Sequence, residues 1–90
     1  MAQYLEKTRQ QLADWMRRNV NWSSRRKQMK PADKDEFFTW LNKAEYDKES
    51  TSAERDEALN KAISILVEQE VMTREEIDAE KKACDEYFRN

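Results

Sequence analysis

The amino-acid sequence predicts an all-α protein, either a compact four-helix bundle or an irregular helical cluster, with no β-sheet. When successive residues are placed 100° apart, the apolar residues of four stretches each collect on one side. No stretch competes with this pattern by alternating apolar and polar residues as a strand does. The 90 residues include no glycine, on which tight hairpin turns depend. We expect a single α-helical domain over residues 1–90.

The first helix is predicted over residues 2–20. The apolar residues that share one side of it are Tyr4, Leu5, Leu12, Trp15, Met16 and Val20. The polar, turn-prone sequence of residues 21–24 then breaks the pattern. Residues 25–30 fit either a short helical turn or an extended connector, and the sequence favours neither.

The second helix is predicted over residues 31–49. Pro31 suits its first position, because the missing N–H would have no partner there. Acidic side chains follow in the first turn, where the positive end of the helix dipole favours them. The residues predicted to be buried are Phe37, Phe38, Trp40, Leu41 and Ala44, and Tyr46 falls outside this group.

The third and fourth helices are predicted over residues 52–70 and 74–88. Thr51 with Glu54, and Thr73 with Glu76, have the spacing of a capping box at the start of each helix. The third helix is the most apolar segment and is expected at the centre of the fold. The fourth has a narrower apolar stripe of Ile77, Cys84, Tyr87 and Phe88, and Glu80 projects into the same arc.

The composition argues against catalysis. Without glycine, the sequence has no phosphate-binding loop or dinucleotide fingerprint, and without histidine it has no Ser-His, Cys-His or His-metal arrangement. The single cysteine, Cys84, can form neither an internal disulfide nor a zinc cluster, and its helical spacing predicts a buried thiol. We therefore expect a protein that is not an enzyme and that uses no cofactor or metal.

The sequence also lacks a membrane-spanning run and a signal peptide, which favours a cytoplasmic location.

Charge is divided unevenly along the chain. Residues 1–34 contain nine Lys or Arg and three Asp or Glu, a formal charge of +6, whereas residues 35–90 carry −8. The densest cations surround Trp22, and tryptophan, tyrosine and arginine dominate binding hot spots. The predicted contact patch comprises Trp22, Arg17, Arg18, Arg25, Arg26, Lys27 and Lys30, with Tyr46 as a further exposed aromatic residue.

These features predict a small protein-binding module, an inhibitor, adaptor or assembly factor of the kind common among bacterial accessory and phage genes. Complementary charge would steer it to a macromolecular partner, which it would occlude or stabilise. A symmetric homodimer is a further expectation, because it would add to the burial of a small core. The alternative function is a nucleic-acid-associated factor that uses Arg17–Lys30. A third interpretation is that these cations face the acidic helices of the protein itself.

Overall fold

Four α-helices make up most of residues 4–89, the part of the chain that the computed structural model describes. They are α1 (Glu6–Trp22), α2 (Pro31–Tyr46), α3 (Ser52–Glu68) and α4 (Arg74–Arg89). No strand occurs within residues 4–89. The predicted all-α fold class is therefore confirmed.

The boundaries of α1 differ from the predicted ones at both ends. The predicted first residues, 2 and 3, lie outside the described part, and Tyr4 and Leu5 precede the helix, which begins at Glu6. At the other end, α1 continues through Trp22 instead of turning after Val20. The Asn19 amide donates to the Trp15 carbonyl at 2.9 Å, and its oxygen accepts from Arg26 at 3.2 Å. These bonds attach the following chain to the last turns of α1.

The connector between α1 and α2 has a short turn at residues 24–26 and no helix, which settles the question that the sequence left open. Pro31 is the first residue of α2, as predicted. The end of α2 comes at Tyr46, three residues earlier than predicted. The Asp47 carboxylate accepts from the Glu49 N–H at 3.2 Å and from the Ser50 hydroxyl at 2.6 Å. This local turn competes with the helix and ends it.

Both predicted capping boxes are confirmed. At α3, the Thr51 N–H donates to Glu54 at 2.9 Å and the Glu54 N–H donates to the Thr51 hydroxyl at 3.1 Å. At α4, the corresponding distances between Thr73 and Glu76 are 2.7 and 3.2 Å. Each pair satisfies two N–H groups that the first turn of a helix leaves without a partner.

The end of α3 requires a residue with positive φ, and the chain has no glycine to place there. Glu70 takes that position, with φ of 59°. The Val71 N–H donates to the Leu66 carbonyl at 2.9 Å and the Glu70 N–H to Val67 at 3.1 Å, the two bonds of a Schellman motif. Val71 and Leu66 are both buried, so the motif also directs the chain back to the core.

The core is built around the packing of α2 against α3, the most extensive helix pair, with α1 contacting all three other helices. Its largest fully buried apolar side chains are Phe37, Leu12, Met16, Leu41, Leu59, Ile63, Leu66 and Ile77. Trp15, Phe38 and Trp40 pack against this core while half-buried. Within residues 4–89, α1 is the main packing partner of α4.

The two helices α1 and α4 run antiparallel. The Thr8 hydroxyl near the start of α1 faces the Asp85 carboxylate near the end of α4. At the other end, Arg26 follows α1 and donates to Glu76 in the first turn of α4. The antiparallel arrangement leaves a long seam between α1 and α4, and one of the two hollows described below lies in this seam.

Candidate binding surface

Trp22 is the most exposed large hydrophobic residue of the described chain. Its side chain, in the last turn of α1, is 80% exposed. Beside it lies a shallow hollow of about 230 Å³ lined by Trp15, Arg18, Asn19, Trp22 and Ser23. Trp22, which the sequence analysis assigned to the contact patch, is therefore accessible to a partner.

Helical spacing explains why these side chains meet. Trp15, Arg18 and Trp22 are separated by three and four residues and therefore share one face of α1. The neighbouring face carries Leu12 and Met16, which are fully buried. Asn19, bonded to the Trp15 carbonyl and to Arg26, holds the wall of the hollow in place. The hollow is thus built on a rigid helix and braced by the connector that follows it.

Arg17 belongs to a different surface. Its guanidinium donates to Glu45 at 2.6 Å and to Asn42 at 3.0 Å. The same group lies 5.5 Å from the centre of the Tyr46 ring. Arg17 is five residues from Trp22, about 140° around the helix. The structure therefore brings Arg17 and Tyr46 together, on a side of α1 away from Trp22.

Two cations of the connector contact the acidic part of the chain. Arg26 donates to Glu76 at 2.8 Å, and this bond, against a smaller effect of burial, holds the pKa of the Glu76 carboxyl below its usual range. The Lys27 ammonium lies 3.9 Å from Glu70, and both side chains are largely exposed. For Arg17, Arg26 and Lys27, the interpretation that the basic segment faces the protein's own carboxylates is therefore supported.

The remaining three cations of the predicted patch are accessible, and so is Lys27, whose weak contact leaves it 59% exposed. Arg18 is 56% exposed and contacts Asp14 at 3.1 Å on the same face of the helix. Arg25 and Lys30 are exposed, and no salt bridge within residues 4–89 involves either of them. The accessible positive charge near Trp22 is thus smaller than the sequence alone indicates.

A second hollow, not predicted from the sequence, lies between α1 and α4. It has a volume of about 340 Å³ and is lined by Gln11, Glu80, Ala83, Cys84, Tyr87 and Phe88. Tyr87 is 77% exposed, so its predicted place on the apolar stripe does not make it a core residue. The sequence feature that could have indicated this hollow is Glu80, a carboxylate in an otherwise apolar arc of α4.

Cys84 lies at the floor of this second hollow. Its thiol is free and buried, as its spacing predicted. Burial raises the pKa of the Cys84 thiol, and the neighbouring Glu80 and Asp85 carboxylates raise it further. A thiol with a raised pKa is a weak nucleophile at neutral pH.

The described residues hold no group of three or more His, Cys, Asp or Glu side chains arranged to bind a metal ion. No helix within residues 4–89 is both long and apolar enough to cross a bilayer.

Comparisons of the chain with protein-family models, curated proteins and solved structures gave no match. The functional argument therefore depends on the geometry of the two hollows and the residues around them.

Proposed function

We propose that this protein is a non-catalytic, cytoplasmic protein-binding module whose contact residue is Trp22. It acts as an inhibitor, adaptor or assembly factor by occluding its partner or stabilising one state of it. The observation that carries the proposal is the 80% exposure of Trp22 beside the hollow that Trp15 and Arg18 line. Free monomers seldom gain from holding an indole in water, whereas buried tryptophans dominate binding energy at interfaces.

The rigid presentation of Trp22 supports this proposal. Its backbone is helical, and the Asn19 bonds brace the last turns of α1. A side chain on a preorganised element loses less conformational entropy when it binds. Truncation of such a residue at an interface typically costs about 2 kcal/mol or more, which is roughly a thirtyfold loss of affinity.

Accessible charge near Trp22 indicates the kind of partner surface. Arg18 lines the hollow, and Arg25 follows Trp22 by three residues. An acidic partner surface would complement these cations and speed the encounter, while burial of Trp22 would supply most of the affinity.

The test is capture of a protein partner from lysate of the native host by wild type and by Trp22→Ala. We expect a defined protein to be recovered by wild type and to be lost or strongly reduced with Trp22→Ala. Tyr46→Ala is the matched control, since Tyr46 is also a 64%-exposed aromatic residue but lies beside Arg17. Equal capture by Trp22→Ala and wild type would contradict the assignment of the contact residue.

Nucleic acid is the second candidate partner, because Arg25 and Lys30 are exposed. Few cations of the basic segment are free to bind phosphate, because Arg17 and Arg26 are bonded to Glu45 and Glu76. If phosphate contacts were the function, binding to DNA or RNA would fall steeply with salt and be lost on reversal of Arg25 to Glu. Fluorescence anisotropy at low salt with single-stranded and duplex probes distinguishes the two candidates.

A further inference from the structure

The two hollows lie along one continuous face of α1. Gln11 lines the hollow that α4 completes, and Trp15, Arg18 and Trp22 line the other. Viewed down the axis of α1, these four residues lie within about 40° of their mean direction. Glu80 and Tyr87 extend this face onto α4. We call these six residues the seam face.

The spacing of the α1 residues in the seam face is the same when the helix is read in either direction. Gln11 and Trp15 are four residues apart, and so are Arg18 and Trp22. A second α1 can be laid antiparallel on the first, about a two-fold axis that passes outside the seam face midway between the levels of residues 16 and 17. Trp22 of each copy then meets the Gln11 hollow of the other. The same operation places each Arg18 opposite the other copy's Trp15, where a guanidinium can lie over an indole.

Charge and shape are complementary in this arrangement. The Trp22 end of the seam face carries Arg18, and the hollow at the opposite end carries Glu80. That hollow, at about 340 Å³, is within the size range of pockets that accept small organic groups. Within residues 4–89 the only salt-bridge partner of Arg18 is Asp14, on an exposed helix surface, and such exposed contacts are weak and readily exchanged.

We infer that the occupant of the seam face is a second copy of this chain, which forms a symmetric antiparallel dimer through Trp22, Arg18 and Glu80. The inference rests on the proposed function, since it names the partner of the same Trp22 site. The face is about 16 Å long and two helices wide, roughly 330 Å² in outline. Standard interfaces bury about 800 Å² per partner, so the dimer is expected to be weak and to depend on protein concentration.

The experiment is sedimentation equilibrium of the full chain over a roughly thousandfold range of concentration, up to the millimolar range where weak interfaces associate. Wild type is compared with Arg18→Glu, with Glu80→Arg and with an equimolar mixture of the two. Each single reversal places like charges at both ends of the interface and is expected to raise the dimer Kd by roughly tenfold or more. The mixture pairs opposite charges at both ends and is expected to restore dimers with a Kd near that of wild type.

Matched controls reverse charges on the exposed outer side of α4, with Lys82→Glu for Arg18→Glu and Glu86→Arg for Glu80→Arg. Both controls are expected to dimerise like wild type. Trp22→Ala is the second variant, and it is expected to be monomeric while keeping its helical circular dichroism.

A wild type that is monomeric throughout the range would overturn the inference. So would dimers that form equally well in the single reversals, or a mixture that stays monomeric. The lysate experiment tests the proposed function separately. If wild type is monomeric but still captures a host protein that Trp22→Ala does not capture, the proposed function stands and only the dimer is excluded.

Discussion

Arg9 and Asp56 form an ion pair that is almost entirely out of contact with water. Their side chains are 1% and 2% exposed, and the Nη1 of Arg9 donates to Asp56 at 2.9 Å. Within residues 4–89, the Nε and Nη2 atoms of Arg9 have no hydrogen-bond partner, and Nη2 lies 4.0 Å from the exposed Glu6 carboxylate. Nearby, Tyr4 donates to Asn60, and the Thr8 hydroxyl faces Asp85 without reaching hydrogen-bond geometry. Polar groups thus fill the region where the start of α1 meets α3 and α4.

Replacement of Asp56 by Ala should destabilise the protein severely, because the buried Arg9 charge then keeps only the more distant, exposed Glu6 carboxylate. We expect the free energy of unfolding in urea to fall by about 3–5 kcal/mol. The double variant Arg9→Met, Asp56→Leu removes both charges and should lie close to wild type, since apolar residues of similar size often replace a buried pair without loss. Equal destabilisation of the single and double variants would contradict this account.

At the scale of one helix, α3 shows how local chemistry determines both ends of an element. It begins at the Thr51–Glu54 capping box and ends at the Schellman motif centred on Glu70. A side chain with a Cβ atom is disfavoured at positive φ, at a cost of roughly 1–2 kcal/mol. The C-terminal end of α3 therefore holds strain that a different residue would relieve.

Glu70→Gly is expected to raise the free energy of unfolding by about 1 kcal/mol, because glycine adopts positive φ without a steric penalty. The exposed contact between Glu70 and Lys27, at 3.9 Å, contributes little to oppose this gain. Glu70→Ala is the matched control: it removes the same contact but keeps Cβ, so it should give no such increase. The measurement is urea unfolding, and equal effects of the two substitutions would show that backbone strain is not the cause.

At the same scale, local signals in the sequence predicted the helix starts better than their ends. Thr-x-x-Glu and Pro31 identify the first turns of three helices because the partners lie within four residues of one another. The end of α2 depends on the competing turn of Asp47, and that of α1 on a bond between Asn19 and Arg26. An aspartate can either form such a turn or lie within a helix, and the bond from Arg26 to Asn19 joins residues seven apart, so the predicted ends differ from the observed ones by two or three residues.

For the whole molecule, the charge division of the sequence corresponds to contacts across the fold. Within residues 4–89, four cations of the basic part pair with carboxylates of the acidic part: Arg9 with Asp56, Arg17 with Glu45, Arg26 with Glu76 and Lys27 with Glu70. The sequence shows a basic part and an acidic part but does not show which residues pair, because pairing depends on how the helices pack.

The same limit applies to the surface. The sequence identified Trp22 as a contact residue but did not predict the second hollow, which forms only where α1 and α4 lie side by side.

The unequal packing of the helices predicts unequal stability across the molecule. α4 packs mainly against α1, whereas α2 and α3 form the most extensive pair. Segments with fewer tertiary contacts open at lower free energy. Native-state hydrogen exchange should therefore show α4 amides exchanging roughly tenfold or more faster than those of α3. Protection of α4 equal to that of α3 would mean that the two helices unfold together.

Glu70 also bears on how this sequence can change over generations. Glutamate and glycine codons differ by a single nucleotide, so relief of the positive-φ strain is one mutational step away. A gain of about 1 kcal/mol at this position would offset a typical destabilising substitution elsewhere in the chain. The glycine-free composition therefore leaves an unused reserve of mutational tolerance in the link between α3 and α4.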